Sequence, residues 1–330
     1  MRKIVFIPAL VFLFAGKIYA QDFHLSQYDA APLFLNPAMT GMFSGDYRVH
    51  AHYRSQWAAI ATKPFQTSAL SYDTHVKKNS FGGQILNYRA GAGSYNALSV
   101  LVSAARDWAI DSAGNHHLSV GLQAGFIYKS VNMSKLIFEN QYVPTNGGSF
   151  DNAIPNGELN YNKSDFLHDA NAGLLYYYAK DPCRINPFLG FTTFHLTQPN
   201  ESFYGEKNKL PMRFLLHGGA KVNVTENIQL IPKFFMMQQV NARELTYSLL
   251  AHYYLKESNS FLILGGTMRN KDAAIFEVGM KYGKYIYRLS YDINTSGLKP
   301  STNGRGGLEI SVTFVQPKQK PNPVPNCPRL

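Results

Sequence analysis

The chain has 330 residues, a formal charge of +11, 16% charged residues and 14% aromatics, mostly its 21 Tyr and 22 Phe. Two cysteines are too few for a disulfide scaffold and have no metal-site spacing. No Lys/Arg-rich run precedes the C-terminal tail, which argues against nucleic acid as a partner.

Residues 1–20 read as a secretory signal peptide. Arg2 and Lys3 supply the positive start, Ile4 to Gly16 form a short apolar run, and Ala20 is a small residue at the cut. Removing Arg2, Lys3 and Lys17 lowers the charge from +11 to +8, a basic balance suited to acidic partners or lipid phosphates. Residues 21–46 contain Pro32 and Asn36-Pro37. They are expected to be an extended, kinked segment that either plugs a lumen or lies along its rim.

From residue 47 onward, side chains alternate with a period of two. Leu308, Ile310, Val312 and Phe314 alternate with Glu309, Ser311 and Thr313, and Tyr287, Leu289, Tyr291 and Ile293 with Arg288, Ser290 and Asp292. Such segments have one apolar and one polar face. They run to about 10–12 residues, the length needed to cross a bilayer and longer than the soluble norm of about 5–6. After the signal, no stretch is apolar for long enough to make a spanning helix. The expected fold is therefore all-β, a transmembrane antiparallel up-and-down barrel over 47–315. About fourteen strands fall near 47–57, 65–76, 80–89, 95–106, 115–130, 166–179, 187–197, 210–224, 227–237, 242–255, 259–269, 272–282, 285–293 and 305–315. An even number places both chain ends in the periplasm. The longest connections, 131–165, 198–209 and 294–304, then face outward. Residues 316–330 read as a Pro-rich periplasmic tail.

Four same-face residues of the first strand, Arg48, His50, His52 and Arg54, form a candidate basic patch facing the lumen. His50 and His52 have metal-like spacing, but no carboxylate or cysteine nearby completes a ligand set, so no metal or other cofactor is expected. His116 and His117 point to opposite faces. No GxSxG elbow or comparable catalytic constellation is present, so the protein is read as non-enzymatic. Tyr161, Tyr176, Tyr177 and Tyr178 would suit a sugar-lined porin, although such tyrosines are ordinarily girdle and wall. Gln198, Pro199, Asn200, Glu201 and Phe203 form a candidate partner-binding surface, because loops of this length often carry function. Cys183, in an even-numbered turn, and Cys327, in the tail, share the oxidising periplasmic side. They either bond across the barrel mouth or stand as separate thiols.

Several segments, in order, resemble the PorP/SprF family of outer-membrane proteins. They are QDFHLSQYDAAPLFLNPAMTG at Gln21–Gly41, DYRVHAHYRSQW at Asp46–Trp57, DANAGLLYYY at Asp169–Tyr178, FHLTQPNESF at Phe194–Phe203, RLSYDINTSGL at Arg288–Leu298, GGLEISVTF at Gly306–Phe314 and the terminal CPRL. Leu330 departs from the aromatic that commonly ends the family. The resemblance implies an outer-membrane barrel linked to type IX secretion and gliding motility. Such a barrel assists secretion or surface attachment of an adhesin-like partner with a C-terminal sorting domain, and meets periplasmic secretion components as well as outer-membrane lipid and lipopolysaccharide. It implies binding rather than catalysis. The alternative is a passive porin or small-solute channel.

Overall fold

The computed structural model describes residues 22–58, 63–91, 95–132, 136–145, 148–155, 157, 162–180, 183–202, 207–258 and 260–318. The signal peptide, Phe203, Tyr161 and Cys327 therefore lie outside the described residues, as does most of the tail.

Among the described residues sixteen strands follow in chain order: β1 (Tyr47–Gln56), β2 (Phe65–Val76), β3 (Asn79–Ala90), β4 (Tyr95–Ala109), β5 (His116–Asn132), β6 (Tyr142–Val143), β7 (Ser149–Phe150), β8 (Asn162–Tyr178), β9 (Ile185–Phe194), β10 (Arg213–Asn223), β11 (Ile228–Gln239), β12 (Ala242–Leu255), β13 (Ser260–Arg269), β14 (Ala273–Tyr282), β15 (Tyr285–Asn294) and β16 (Arg305–Gln316). Fourteen close into one antiparallel barrel, while β6 and β7 form a separate hairpin between β5 and β8. The seam closes where β1 meets β16, in register from Tyr47 opposite Gln316 to Gln56 opposite Gly307.

The strands fall where the alternation predicts, with two kinds of difference. β5 and β8 pair over 17 residues, from His116–Tyr178 to Asn132–Asn162. That is longer than the expected span, because this pair continues upward as the stem of the longest loop. β10 begins at Arg213 and β9 ends at Phe194, each a few residues inside the expected edge. There the backbone of His195 takes a φ of 59° and leaves the sheet. The β10–β11 ladder skips the residues opposite Pro232, which has no N–H to offer a neighbour.

The barrel is inside out relative to a soluble protein. On β1, Arg48, His50, His52 and Arg54 are buried while Ala51 and Tyr53 are exposed. Val102 is 65% exposed, Leu122 63%, Leu264 62% and Phe276 61%. An apolar band this continuous requires lipid around it, since a water-exposed patch of this extent would drive aggregation. Tyr47, Phe314, Tyr285 and Tyr287 pack together at one edge of the band, with ring centroids 5.1–5.9 Å apart, as an interfacial girdle does.

The two ends differ. At one, the turn end, the connections are short, such as 77–78, 224–227 and 283–284. The three longest, 133–161, 195–212 and 295–304, all leave from the other, the loop end. Two connections at the loop end are also tight, 240–241 and 270–272.

Candidate functional site: the occupied lumen

Residues 22–46 run through the lumen from the loop end to the turn end. At the loop end, the Asp22 N–H donates to Gln239, the last residue of β11, at 3.0 Å. At the turn end, the Asp46 N–H donates to the Gln316 carbonyl at 2.7 Å, and β1 begins one residue later. Among the described residues the segment has no sheet partner, so its backbone groups need other partners. It finds some within short turns, α1 (Pro32–Leu35) and two 3-10 turns at Tyr28–Ala30 and Pro37–Met39. The barrel wall supplies the rest.

The lower half, 33–43, rests on a track of glycines. A Cβ on Gly121 would lie 2.3 Å from the Ala38 nitrogen and the Pro37 carbonyl carbon; on Gly173, 2.0 Å from the Asn36 side-chain oxygen; on Gly190, 2.9 Å from the Asn36 amide nitrogen. Only glycine allows the Pro37-Ala38 backbone to approach Gly121, and the Asn36 side chain to approach Gly173 and Gly190, this closely. Asn36 then serves three partners, one of them the His217 Nε2 at 3.2 Å from its amide nitrogen. Its oxygen caps the Ala38 N–H at 2.8 Å, and its amide donates to the Leu174 carbonyl at 2.9 Å. Ser119 donates to the Ala38 carbonyl at 2.8 Å, Thr40 to the Pro37 carbonyl at 2.7 Å, and the Gly41 N–H, at a φ of 75°, to Asp73 at 2.7 Å. Tyr28 and Leu35 pack with Phe194, Leu215, Phe235 and Met237 as an apolar island inside an otherwise polar lumen.

The upper half, 22–31, is held by charge. Glu309 accepts from the backbone N–H groups of Ser26 and Gln27 at 2.6 and 2.8 Å and pairs with Arg54. Ser26 donates to Asp292 at 2.7 Å while its oxygen accepts from Arg54 and Arg269 at 2.6 and 2.8 Å. Asp29 bridges Lys233 at 2.5 Å and Arg288 at 2.9 Å, and Arg288 also pairs with Glu277. Apart from the half-buried Asp29 these ions are buried, so each depends on its partners; removing one side of a buried pair costs about 3–5 kcal/mol.

At its tip, Asp22 accepts from His195 at 2.7 Å and from Arg213 at 3.2 Å; the other His195 nitrogen meets Asp169 at 3.0 Å. Burial opposes the charged form of His195, but the Asp22 and Asp169 carboxylates outweigh it and raise its pKa to about 9. Burial likewise opposes ionisation of Asp22, and the charges of His195 and Arg213 overcome it, holding the carboxyl well below its ordinary range. Phe23 stacks between Phe34 and Tyr88, with centroids 5.3 and 5.2 Å away. This tip separates two cavities at the loop end. One of about 300 Å³ lies toward β3–β5 and β8–β10, and one of about 700 Å³ lies toward Arg54, Trp57, Glu244 and Arg269. A third cavity, at the turn end beside Phe43, His75 and Lys78, shares no lining residue with either.

The four residues of the predicted basic patch all face the lumen and are buried. Arg48 pairs with Asp73 at 2.6 Å, donates to the Met39 carbonyl at 3.3 Å and covers the Phe43 ring. His50 meets Thr313 at 2.8 Å, His52 meets Glu309 at 3.1 Å, and Arg54 reaches Glu309, Asp292 and Ser26. Most of the neutralising charge comes from neighbouring strands, and less from the segment itself. Gln198, Pro199 and Glu201 are half-buried and Asn200 is exposed. The loop carrying them turns inward over the mouth, where Glu201 pairs with Lys129 at 2.6 Å and Leu210 is buried against Ile127 and Leu167. Tyr176 and Tyr177 lie near the turn end against His116 and His117. Cys183 is half-buried just before β9, its thiol against the Ile185 carbonyl at 3.4 Å. Asp22, Ser26 and Asp29, which anchor the segment, were not singled out from sequence, and Asn36 was noted only as part of the Asn36-Pro37 kink. The polar faces of β14, β15 and β16 gave the available signal, since Glu277, Arg288, Asp292 and Glu309 needed partners in the lumen.

A family model described as type IX secretion system membrane protein PorP/SprF matches residues 17–314. Solved structures with a similar barrel include the CymD monoaromatic hydrocarbon channel (TM-score 0.51, 12% identity, covering 87% of this chain and 93% of that one). The Ralstonia pickettii toluene transporter TbuX aligns with a TM-score of 0.52 and 9% identity over 87% of this chain and 94% of its own. The Pseudomonas putida toluene transporter TodX gives 0.51 and 10% over 86% and 92%. At these identities the likeness is one of fold. Among curated proteins, none matches the sequence.

Proposed function

The chain belongs to the PorP/SprF family of type IX secretion system membrane proteins, and from that premise we propose that it is a stoppered outer-membrane barrel that assists secretion or surface attachment of a partner protein by binding it. The partner is adhesin-like and carries a C-terminal sorting domain. The loop end faces outward and presents 133–161 and the inward-turned 195–212. The turn end, with the tail, meets periplasmic secretion components. No chemistry of its own is assigned to the barrel.

The observation that carries this reading is the seat of residues 22–46. A segment held by buried ion pairs above and a glycine track below suits a scaffold with a closed lumen better than a steady conduit. The rival, a small-solute channel, draws support from the two cavities beside the tip.

Two measurements separate them. In planar bilayers the intact protein is expected to conduct little, and deletion of residues 23–40 to raise conductance. Steady conductance by the intact barrel would favour the channel. Affinity capture of the tagged barrel from membranes, followed by mass spectrometry, is expected to recover secretion components and a sorting-domain protein. Recovery of neither would overturn the binding role.

A further inference from the structure

A recess of about 520 Å³ lies on the outward side of β2–β5 at the loop end. Four of its lining residues form one cross-strand row. Gln66 of β2 lies opposite Arg89 of β3, Arg89 opposite Asn96 of β4, and Asn96 opposite Ser130 of β5. By alternation these side chains share the outward face with the exposed Leu70, Ile85, Val102 and Tyr128. Lys63, on the β1–β2 connection, also lines the recess, and both it and Arg89 are exposed.

Every member of the row can donate a hydrogen bond, and no carboxylate is among the described lining residues. Asn96 orders the row. Its oxygen accepts from the Asn87 amide at 2.9 Å and from the Arg89 Nε–H at 3.3 Å. The terminal guanidinium nitrogens and the Asn96 amide N–H groups are left to donate elsewhere. From Tyr47 to Arg106 the one acid is Asp73, which is buried and paired with Arg48. Two exposed cations beside a row of donors, with no acid among them, select an anion.

The rows beneath say which anion. One step toward the turn end the outward row is mixed, with Ser68, Asn87, Leu98 and Tyr128. The next is apolar, with Leu70, Ile85, Val100 and Phe126. The anion that fits both carries hydrocarbon, its charge at the Arg89 row and its chains against Leu70 and Ile85, where the wall already meets lipid. A free phosphate would use the upper row alone. Strands stand about 4.8 Å apart, so the row from Gln66 to Ser130 is roughly 14 Å wide. A phosphorylated sugar headgroup with several acyl chains spans that width, whereas one two-chain phospholipid covers part of it. Around β13–β15 the outward positions at the same end are apolar, as at Met268 and Ile293, so the polar row belongs to one sector of the wall.

We propose that this recess binds the phosphorylated headgroup of an outer-leaflet glycolipid. Arg89 and Lys63 are its charge partners, Gln66, Asn96 and Ser130 its donors, and Leu70 and Ile85 the seat of its acyl chains. The proposal takes from the proposed function only the outward orientation of the loop end, which proteolysis of intact cells tests separately. A failed lipid titration would leave the partner-binding role standing.

The test titrates the full barrel in detergent micelles with diphosphoryl lipid A and follows adducts by native mass spectrometry. Lipid A stripped of its phosphates, phosphatidylglycerol and inorganic phosphate are the comparators. Diphosphoryl lipid A is expected to give one saturable adduct, with both other lipids about tenfold weaker or more. An equal concentration of inorganic phosphate should not displace it. The double variant Lys63→Gln/Arg89→Gln should weaken the adduct about tenfold or more. Arg243→Gln/Lys271→Gln, which removes two exposed cations at the loop end outside the recess, should match the parent. Folding is checked by retained heat-modifiable migration on gels. The proposal is overturned if a comparator lipid binds as tightly, if inorganic phosphate displaces the adduct, if the folded Lys63→Gln/Arg89→Gln variant binds unchanged, or if the control variant loses as much.

Discussion

Arg54 and Glu309 face each other across the seam that closes the barrel, as a cross-strand pair between β1 and β16. The same Glu309 carboxylate accepts the backbone N–H groups of Ser26 and Gln27. One ion pair thus takes part in both barrel closure and the seating of the lumen segment, with Arg54 1% and Glu309 0% exposed. A buried pair broken on one side leaves a charge without compensation.

Glu309→Gln is therefore expected to destabilise the barrel by about 3 kcal/mol or more. Arg54 keeps Asp292 at 3.1 Å, which limits the loss. The measurement is urea unfolding in detergent, followed by heat-modifiable migration. An unfolding midpoint equal to the parent's would show that the seam does not depend on this carboxylate.

The glycine track makes a different prediction, because its effect is steric. Gly121→Ala places a methyl 2.3 Å from the Pro37-Ala38 backbone; the wall is fixed by its ladder hydrogen bonds, so the segment should shift. Overpacking of this kind costs about 1–3 kcal/mol. Single-channel recordings should show higher conductance for Gly121→Ala and Gly173→Ala. Gly266→Ala, where nothing lies within 4 Å, should behave as the parent. Equal conductance in all three would mean that the contact at Asn36-Pro37-Ala38 does not hold the segment.

The tip should respond to alkali before the rest. His195 has a folded pKa of about 9 against an ordinary 6.5, so the stability it contributes is full below pH 6.5 and is lost as pH rises through 9. Asp22 has a lowered pKa, so its share is present above the ordinary 3.8 and is lost as pH falls. Docking of the tip is thus strongest between about pH 4 and 6.5. Hydrogen exchange, corrected for intrinsic rate, should show protection of 22–24 falling between pH 6.5 and 9 while 36–41 stays protected. A pH-independent tip would show that the Asp22–His195 pair contributes nothing to docking.

The barrel was legible because alternation is a local signal. Arg48, His50, His52 and Arg54 share a face by spacing alone, whatever they touch. Their partners were not legible, because Ser26 and Glu309, or Asn36 and Leu174, meet only after the sheet has closed on itself. The same limit explains the loop at Gln198–Glu201. Its length and polarity suggested a projecting surface, while the Glu201–Lys129 pair and buried Leu210 draw it inward. Gly121 and Gly173 carry no local signal of their role, because what they accommodate, Asn36-Pro37-Ala38, lies far away in the chain.

Topology gives the last prediction. All three of the longest connections leave from one end, and residues 22–46 meet β1 at the other. Bacterial barrels keep short turns on the periplasmic side and longer loops outside. Between β5 and β8, which pair over 17 residues, the described residues include the β6–β7 hairpin, whose Tyr142 and Phe150 rings pack 5.2 Å apart. The exposed residues of this connection, among them Ile137 and Phe150, offer a protease sites beyond the barrel rim. The turn at Lys77-Lys78 is basic and suits trypsin, but it lies at the opposite end. Proteinase K added to intact cells should therefore cut within 133–161, and trypsin should spare Lys77-Lys78 until the outer membrane is permeabilised. The reverse order of cleavage would invert the barrel, and with it the assignment of the turn end to the periplasm.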